Sequence, residues 1–317
     1  MKKWSMDELF TLYHTPLLEL IAKAGEIHGQ FHEIGTIQLC TLISIKTGGC
    51  SEDCKYCAQS SRYKTNIKAT PLMKREEVLA IAQAALARGS SRLCMGAAWR
   101  EARDSRGFDE ILAMIKEVSE LGLEVCCCLG MLTEPLAAKL KEAGLYAYNH
   151  NLDSSESFYK TIISTRTYSD RLETLKVAEN AGLSLCCGGI FGMGEGLTDR
   201  LELIYNLCNR EKQPESFPVN LLMQMEGTPL GEEKPKPLST WELVRTIATA
   251  RICMPRAVIR LGAGRKMLSQ ETQTLCFLAG VNSIFSGDKL LTAANNTPDS
   301  DEELFTLLGL KKRRVRQ

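Results

Sequence analysis

The chain has 317 residues, 39 of them basic and 38 acidic, for a net charge of +1. So even a balance sets up no global field that would draw nucleic acid or an anionic membrane. No apolar run reaches the ~18 residues that span a bilayer, and the opening M-K-K-W-S-M-D-E-L-F lacks the apolar core of an export signal. The expectation is a cytoplasmic protein with no nucleic-acid and no membrane partner. Its length suits one α/β barrel of about 250 residues with extensions. In a reducing cytosol its thirteen cysteines are buried small hydrophobes or metal ligands, not a disulfide framework.

In chain order, Ser5-Met6-Asp7-Glu8 fits a capping box that opens an amphipathic helix, and Thr15-Pro16 starts a second helix running to about Gly29. Residues 1–35 therefore read as an N-terminal helical extension. An apolar strand, Thr41–Lys46, leads into the cysteine loop. From there one unit recurs: a helix ending in Gly, four to seven apolar residues, then a polar or Gly-rich turn. The apolar runs are Ser91–Gly96, Leu123–Gly130, Leu145–Asn149, Leu183–Ile190, Phe217–Met223, Val258–Leu261 and Val281–Phe285. With the first strand this makes eight β/α units, the count of a closed (β/α)8 TIM-type barrel, here over residues 36–310. A doubly wound open sheet is the alternative, but no G-x-G-x-x-G follows the first strand. Lys311-Lys312-Arg313-Arg314 reads as part of a solvated basic tail, residues 311–317.

The loop after the first strand carries Cys50, Cys54 and Cys57 at C-x3-C-x2-C spacing. Thiolates so close in sequence wrap one soft-metal centre. Three local ligands leave one iron of a four-iron cluster without a thiolate, and an open metal position implies chemistry rather than scaffolding. A structural zinc site with a distant fourth ligand is the competing reading.

Side chains alternate along a strand, so parity separates barrel-facing from helix-facing residues. Leu93 and Met95, Val125 and Cys127, Leu185 and Cys187, and Ile259 and Leu261 form the apolar parity that packs on helices. The other parity then turns Cys94, Cys126, Cys186 and Arg260 into the barrel, together with Arg92 and Glu124. Charged groups there are costly unless paired or ligating, so their convergence predicts a buried polar centre. Cys128 shares the parity of Cys126 and competes with it, while Cys40, Cys208, Cys253 and Cys276 read as ordinary core residues. The fourth strand ends in Y-N-H-N-L-D, which places Asn149, Asn151 and Asp153 at the end where barrels bind ligands. His150 has the opposite parity. The glycines of Gly188–Glu195 would permit a flat ligand to approach, and Arg171 is either a carboxylate binder or a surface helix residue.

The loop C-S-E-D-C-K-Y-C resembles the cluster loop of radical S-adenosylmethionine enzymes. Together with R-L-C-M-G-A-A-W, Y-N-H-N-L-D, T-R-T-Y, N-S-I-F-x-G and R-L-x-A-G-R, it resembles the biotin synthase family over about residues 30 to 310. The resemblance implies a 4Fe–4S cluster on Cys50, Cys54 and Cys57 whose free iron chelates S-adenosylmethionine. It implies that Tyr56 packs by the adenine and that Ala97, Ala98 and Trp99 form the amino-group loop. Asn151 and Asp153 would meet the ribose, and Arg171 the methionine carboxylate. A 2Fe–2S cluster would sit on Cys94, Cys126, Cys186 and Arg260, with Asn149, Asn151 and Asn220 holding the ureido ring of dethiobiotin. The implied reaction is insertion of sulfur into two unactivated C–H bonds by a radical cofactor. A flavodoxin-type electron donor and a homodimer go with it. Ala293 and the extra thiols Cys127, Cys128 and Cys187 depart from the family pattern. The alternatives are another radical enzyme acting on an amino acid or lipoyl-type substrate, and a zinc-stabilised scaffold.

Overall fold

The computed structural model describes residues 2–313. Its strands are β1 (Thr36–Lys46), β2 (Arg92–Ala97), β3 (Glu124–Cys128), β4 (Ala147–Asn149), β5 (Ser184–Cys186), β6 (Gly189–Phe191), β7 (Ser216–Leu221), β8 (Val258–Leu261), β9 (Ser283–Ser286) and β10 (Lys311–Lys312). Helices α1 (Met6–His14) and α2 (Leu17–Phe31) precede them. Between and after the strands lie α3 (Arg75–Ala87), α4 (Arg106–Glu120), α5 (Glu134–Glu142), α6 (Glu156–Ile162), α7 (Tyr168–Asn180), α8 (Leu197–Cys208), α9 (Pro229–Glu233), α10 (Thr240–Cys253), α11 (Gln270–Leu278) and α12 (Pro298–Leu308). All named strand pairs are parallel, and β1 pairs with both β2 and β9, which closes the sheet into a barrel. β5 and β6 occupy one barrel position, so eight positions surround the axis, as the repeated β/α unit requires.

Most strand ends lie within two residues of the sequence expectation, and two strands depart further. β1 begins at Thr36 rather than Thr41, because Ile37 and Leu39 extend the helix-facing row already formed by Ile43 and Ile45. The fifth strand is broken at Cys187-Gly188. A Cβ at Gly188 would stand 2.0 Å from the Pro218 carbonyl oxygen of β7, so glycine here serves strand packing. Gly189 is likewise closed in by Leu203 of α8, not open to a flat ligand.

The outward faces pack against the helices in one large apolar core, while a smaller cluster fills the barrel interior. Arg92 seals the N-terminal end. Its Nε and Nη2 donate to Glu124 at 2.9 and 2.7 Å, and its Nη2 also to Glu215 at 3.0 Å. A fully buried guanidinium is tolerable only because carboxylates face it. The extension is tied down by Arg245 of α10, whose Nη1 donates to the carbonyls of Tyr13 and Thr15 at 2.6 and 2.7 Å. The basic tail is not wholly solvated: Lys311–Lys312 pairs with Thr36 and Ile37, and Arg313 reaches Glu124 at 3.4 Å. Strand β1 offers that edge below the barrel, and a carboxylate lies within reach. Arg314 falls outside the described residues. Among the described residues no helix is long and apolar enough to cross a membrane.

Candidate active site

The cysteine loop leaves β1 through Gly48 and Gly49, both at φ 71°, a left-handed pair that turns the chain across the barrel mouth. Cys50 N–H donates to the Gln59 carbonyl at 3.0 Å, and Cys57 N–H to that of Cys54 at 2.9 Å, which folds the three thiols onto one short loop. Its acidic residues anchor it. The Asp53 carboxylate accepts from the backbone N–H groups of Ser164 and Thr165 at 2.9 and 3.1 Å, and the Thr165 hydroxyl donates to Glu52. Against burial, which would raise it, the hydroxyl and N–H of Ser164 and then those of Thr165, all donating to its carboxylate, hold Asp53 at about 2. Burial pushes Cys54 up to about 12 and Cys57 to about 11, so without a bound cation these thiols keep their protons. Among the described residues no three His, Cys, Asp or Glu side chains converge on a point that would hold one metal ion. Three soft donors on one short loop are a donor set that fits an iron–sulfur cluster.

Beside this loop runs a buried polar chain. Tyr56 Oη donates to Asp153 Oδ2 at 2.7 Å, and Arg171 Nη2 meets the same oxygen at 2.6 Å. Arg171 also donates from Nη1 to the Asn151 carbonyl at 2.6 Å and from Nε to Tyr159 Oη at 2.9 Å. It is 5 % exposed, which sets aside the surface-helix reading. Burial keeps Tyr56 a protonated donor, its pKa well above the usual phenol value. Asp153 holds φ 67°. A non-glycine residue there is strained, and such strain concentrates at functional sites. His150 is buried with its ring 6.4 Å from Tyr148, on the helix-facing side, and burial holds it neutral.

A cavity of about 250 Å³ leads from Tyr56 and Cys57 down to Cys94, Cys126, Cys186 and Arg260. Asn149, Asn151 and Asn220 line it, as do Leu290, Leu291, Thr292 and Ala293. Asn149 Nδ2 donates to the Cys186 carbonyl at 3.2 Å, Asn151 Oδ1 accepts from Gly188 N–H at 3.1 Å, and Asn220 Oδ1 from Ala263 N–H at 3.0 Å. Ala97 and Ala98 are buried and Trp99 half-buried at the end of β2; Ala98 and Trp99 line a second recess beside Cys50.

Inside the barrel, strand register sets Cys94 beside Cys126. Cys186 of β5 packs in the same inner cluster. Arg260 is fully buried and donates to Cys186 Sγ at 3.6 Å, Ser283 Oγ at 3.0 Å and Gln38 Oε1 at 3.2 Å. The neighbouring Cys126 thiol and then the Arg260 guanidinium, against burial, hold the Cys186 thiol below its usual value. Cys127 and Cys187 face the helices, while Cys128 is half-buried and borders the cavity nearer the mouth. Sequence reasoning missed two features: Asp53 and Thr165 as anchors of the loop, and Cys40, which points inward beside Cys94. Counting the alternation of β1 back from Leu42 would have found the second.

A cysteine loop at the mouth of a closed parallel barrel defines a class, and residues 44–208 match the model of the Radical SAM superfamily. That domain implies an iron–sulfur cluster and S-adenosylmethionine. Residues 218–311 match the Biotin and Thiamin Synthesis associated domain. Biotin synthase of Chlamydia abortus is 56% identical over 310 residues, covering 98% of this chain and 93% of that one. Biotin synthase of Chlamydia pneumoniae is 57% identical over 307 residues, covering 97% and 92%. The chain belongs to the biotin synthase family. A crystal structure of methylornithine synthase shares the fold, with a TM-score of 0.83 at 17% identity, covering 99% of this chain and 95% of that one.

Proposed function

We propose that the chain converts dethiobiotin to biotin by inserting sulfur, with a 4Fe–4S cluster on Cys50, Cys54 and Cys57 and a 2Fe–2S cluster on Cys94, Cys126, Cys186 and Arg260. The observation that carries this reading is a cavity that runs from Cys57 of the outer set to Cys94, Cys126 and Cys186, with three asparagines along it. When bound, the outer cluster with S-adenosylmethionine supplies a hydrogen-abstracting radical, and the inner cluster supplies sulfur.

The protein's own residues bind, orient and exclude water. Tyr56 would flank the adenine, Asn151 and Asp153 would hold the ribose, and Ala97, Ala98 and Trp99 would border the amino group. Arg171 uses three of its five N–H donors on Tyr159, Asn151 and Asp153, which leaves donors for a carboxylate. The side-chain amides of Asn149, Asn151 and Asn220 offer both donors and acceptors, as a ureido ring requires. Phe285 and Leu290 give the inner chamber an apolar wall that keeps a reactive carbon from water. Holding the reacting carbon in line between the two thiol sets is the barrel's main contribution to rate.

Thirteen free thiols fit a reducing compartment. A flavodoxin-type reductant and a homodimer complete the proposal, with the N-terminal helices, where Leu18 of α2 is 84% exposed, as the seam.

Iron, sulfide and zinc analysis of the anaerobically reconstituted protein tests the cluster assignment. Iron matching one four-iron and one two-iron cluster per chain is expected, with the smaller lost in Cys94→Ala. A single cluster indifferent to Cys94→Ala, or stoichiometric zinc without cleavage of S-adenosylmethionine, contradicts it.

A further inference from the structure

Below Cys128, which borders the cavity nearer the mouth, four thiols pack together in the barrel interior, not three. Cys40 sits on β1 next to β2, is fully buried, and belongs to the same inner cluster as Cys94, Cys126 and Cys186. Strand register sets Cys94 beside Cys126, and Cys40 and Cys186 complete the same packed cluster. Arg260 continues from Cys186 at 3.6 Å to Ser283 at 3.0 Å, and Ser283 returns to Cys40 Sγ at 3.6 Å. Cys40 and Cys186 thus both connect to Arg260, Cys186 directly and Cys40 through Ser283. Phe285 and Leu290 pack in the same cluster, but the Cys40 sulfur also meets the Ser283 hydroxyl, which in turn accepts from the Arg260 guanidinium. Sulfur is also the better donor for iron, since an arginine must lose a proton with a pKa above 12 before its nitrogen can ligate.

We propose that Cys40 is a reserve ligand of the inner cluster, able to take the fourth protein position in place of Arg260. This rests on the inner-cluster assignment above. The exchange moves no electron: Cys40 gives up its thiol proton, the released guanidine takes one up, and one iron–nitrogen bond is replaced by an iron–sulfur bond.

The test compares the parent, Arg260→Met, Cys40→Ala and Cys40→Ala/Arg260→Met after anaerobic reconstitution, read by iron content, absorption and Mössbauer spectra. Arg260→Met is expected to keep the two-iron cluster with a spectrum changed toward four-thiolate ligation, and Cys40→Ala to keep it with the parent spectrum. The double variant is expected to hold it about 10-fold or more weakly. Arg260→Lys, which keeps the buried charge, repeats the comparison should the methionine variant fold poorly. Loss of the cluster in the Arg260 variants as complete as in the double variant overturns the proposal, and so does full retention in the double variant. A parent with no two-iron cluster at all sinks the inner-cluster assignment itself, and the reserve role with it.

Discussion

Asp153→Asn isolates the charge that holds the mouth of the site together. Asparagine tolerates the left-handed backbone that Asp153 adopts at φ 67°, so the substitution adds little strain. It also keeps a side-chain oxygen for the Tyr56 hydroxyl, 2.7 Å away. What it removes is the countercharge 2.6 Å from Arg171, a guanidinium with 6% of its side chain exposed. Breaking a buried pair from one side costs about 3–5 kcal/mol, because the remaining charge stays desolvated. A domain with about 5–15 kcal/mol of stability registers this plainly. Arg171→Met strands the carboxylate in the same way, and the double variant Asp153→Asn/Arg171→Met strands neither charge. The assay is denaturant unfolding of the four reduced apoproteins under anaerobic conditions. The double variant is expected to be more stable than the sum of the singles implies, by about 2–3 kcal/mol. A loss below about 1 kcal/mol in Asp153→Asn, or additive singles, would refute the claim that the two side chains position one another.

Asp53 sits below its unfolded value of about 3.9, so the stability it contributes is present above that pH and is lost as pH falls through about 2. Asp53→Asn should therefore lower the melting temperature at pH 6 and converge with the parent near pH 2; equal differences at both pH values would contradict the anchoring role. Gly188→Ala should cost about 1–3 kcal/mol in denaturant unfolding, since its methyl group meets the Pro218 carbonyl at 2.0 Å and must push β7 aside. An unchanged midpoint would show that the break between β5 and β6 is not set by that contact.

How much of this was legible in the sequence depended on range. Parity alone turned Cys94, Cys126, Cys186 and Arg260 inward, because their strand neighbours are apolar and the barrel has only two faces. The same rule missed Cys40 only because the first strand was begun at Thr41, five residues late, which left Cys40 outside it. The break at Gly188 was hidden, since a continuous apolar run carries no mark of a neighbouring strand's close approach. Asp53 and Thr165 lie 112 residues apart, and nothing local in either segment announces their pairing. Lys311 and Lys312 looked solvated by charge, yet the backbone edge of β1 recruits them through hydrogen bonds that do not depend on side-chain type.

The most direct measurement is anaerobic turnover of the reconstituted protein with dethiobiotin, S-adenosylmethionine and a low-potential reductant. Biotin and 5′-deoxyadenosine should appear together, and both should vanish in Cys54→Ala. Cleavage of S-adenosylmethionine without biotin from the fully loaded protein would contradict the account.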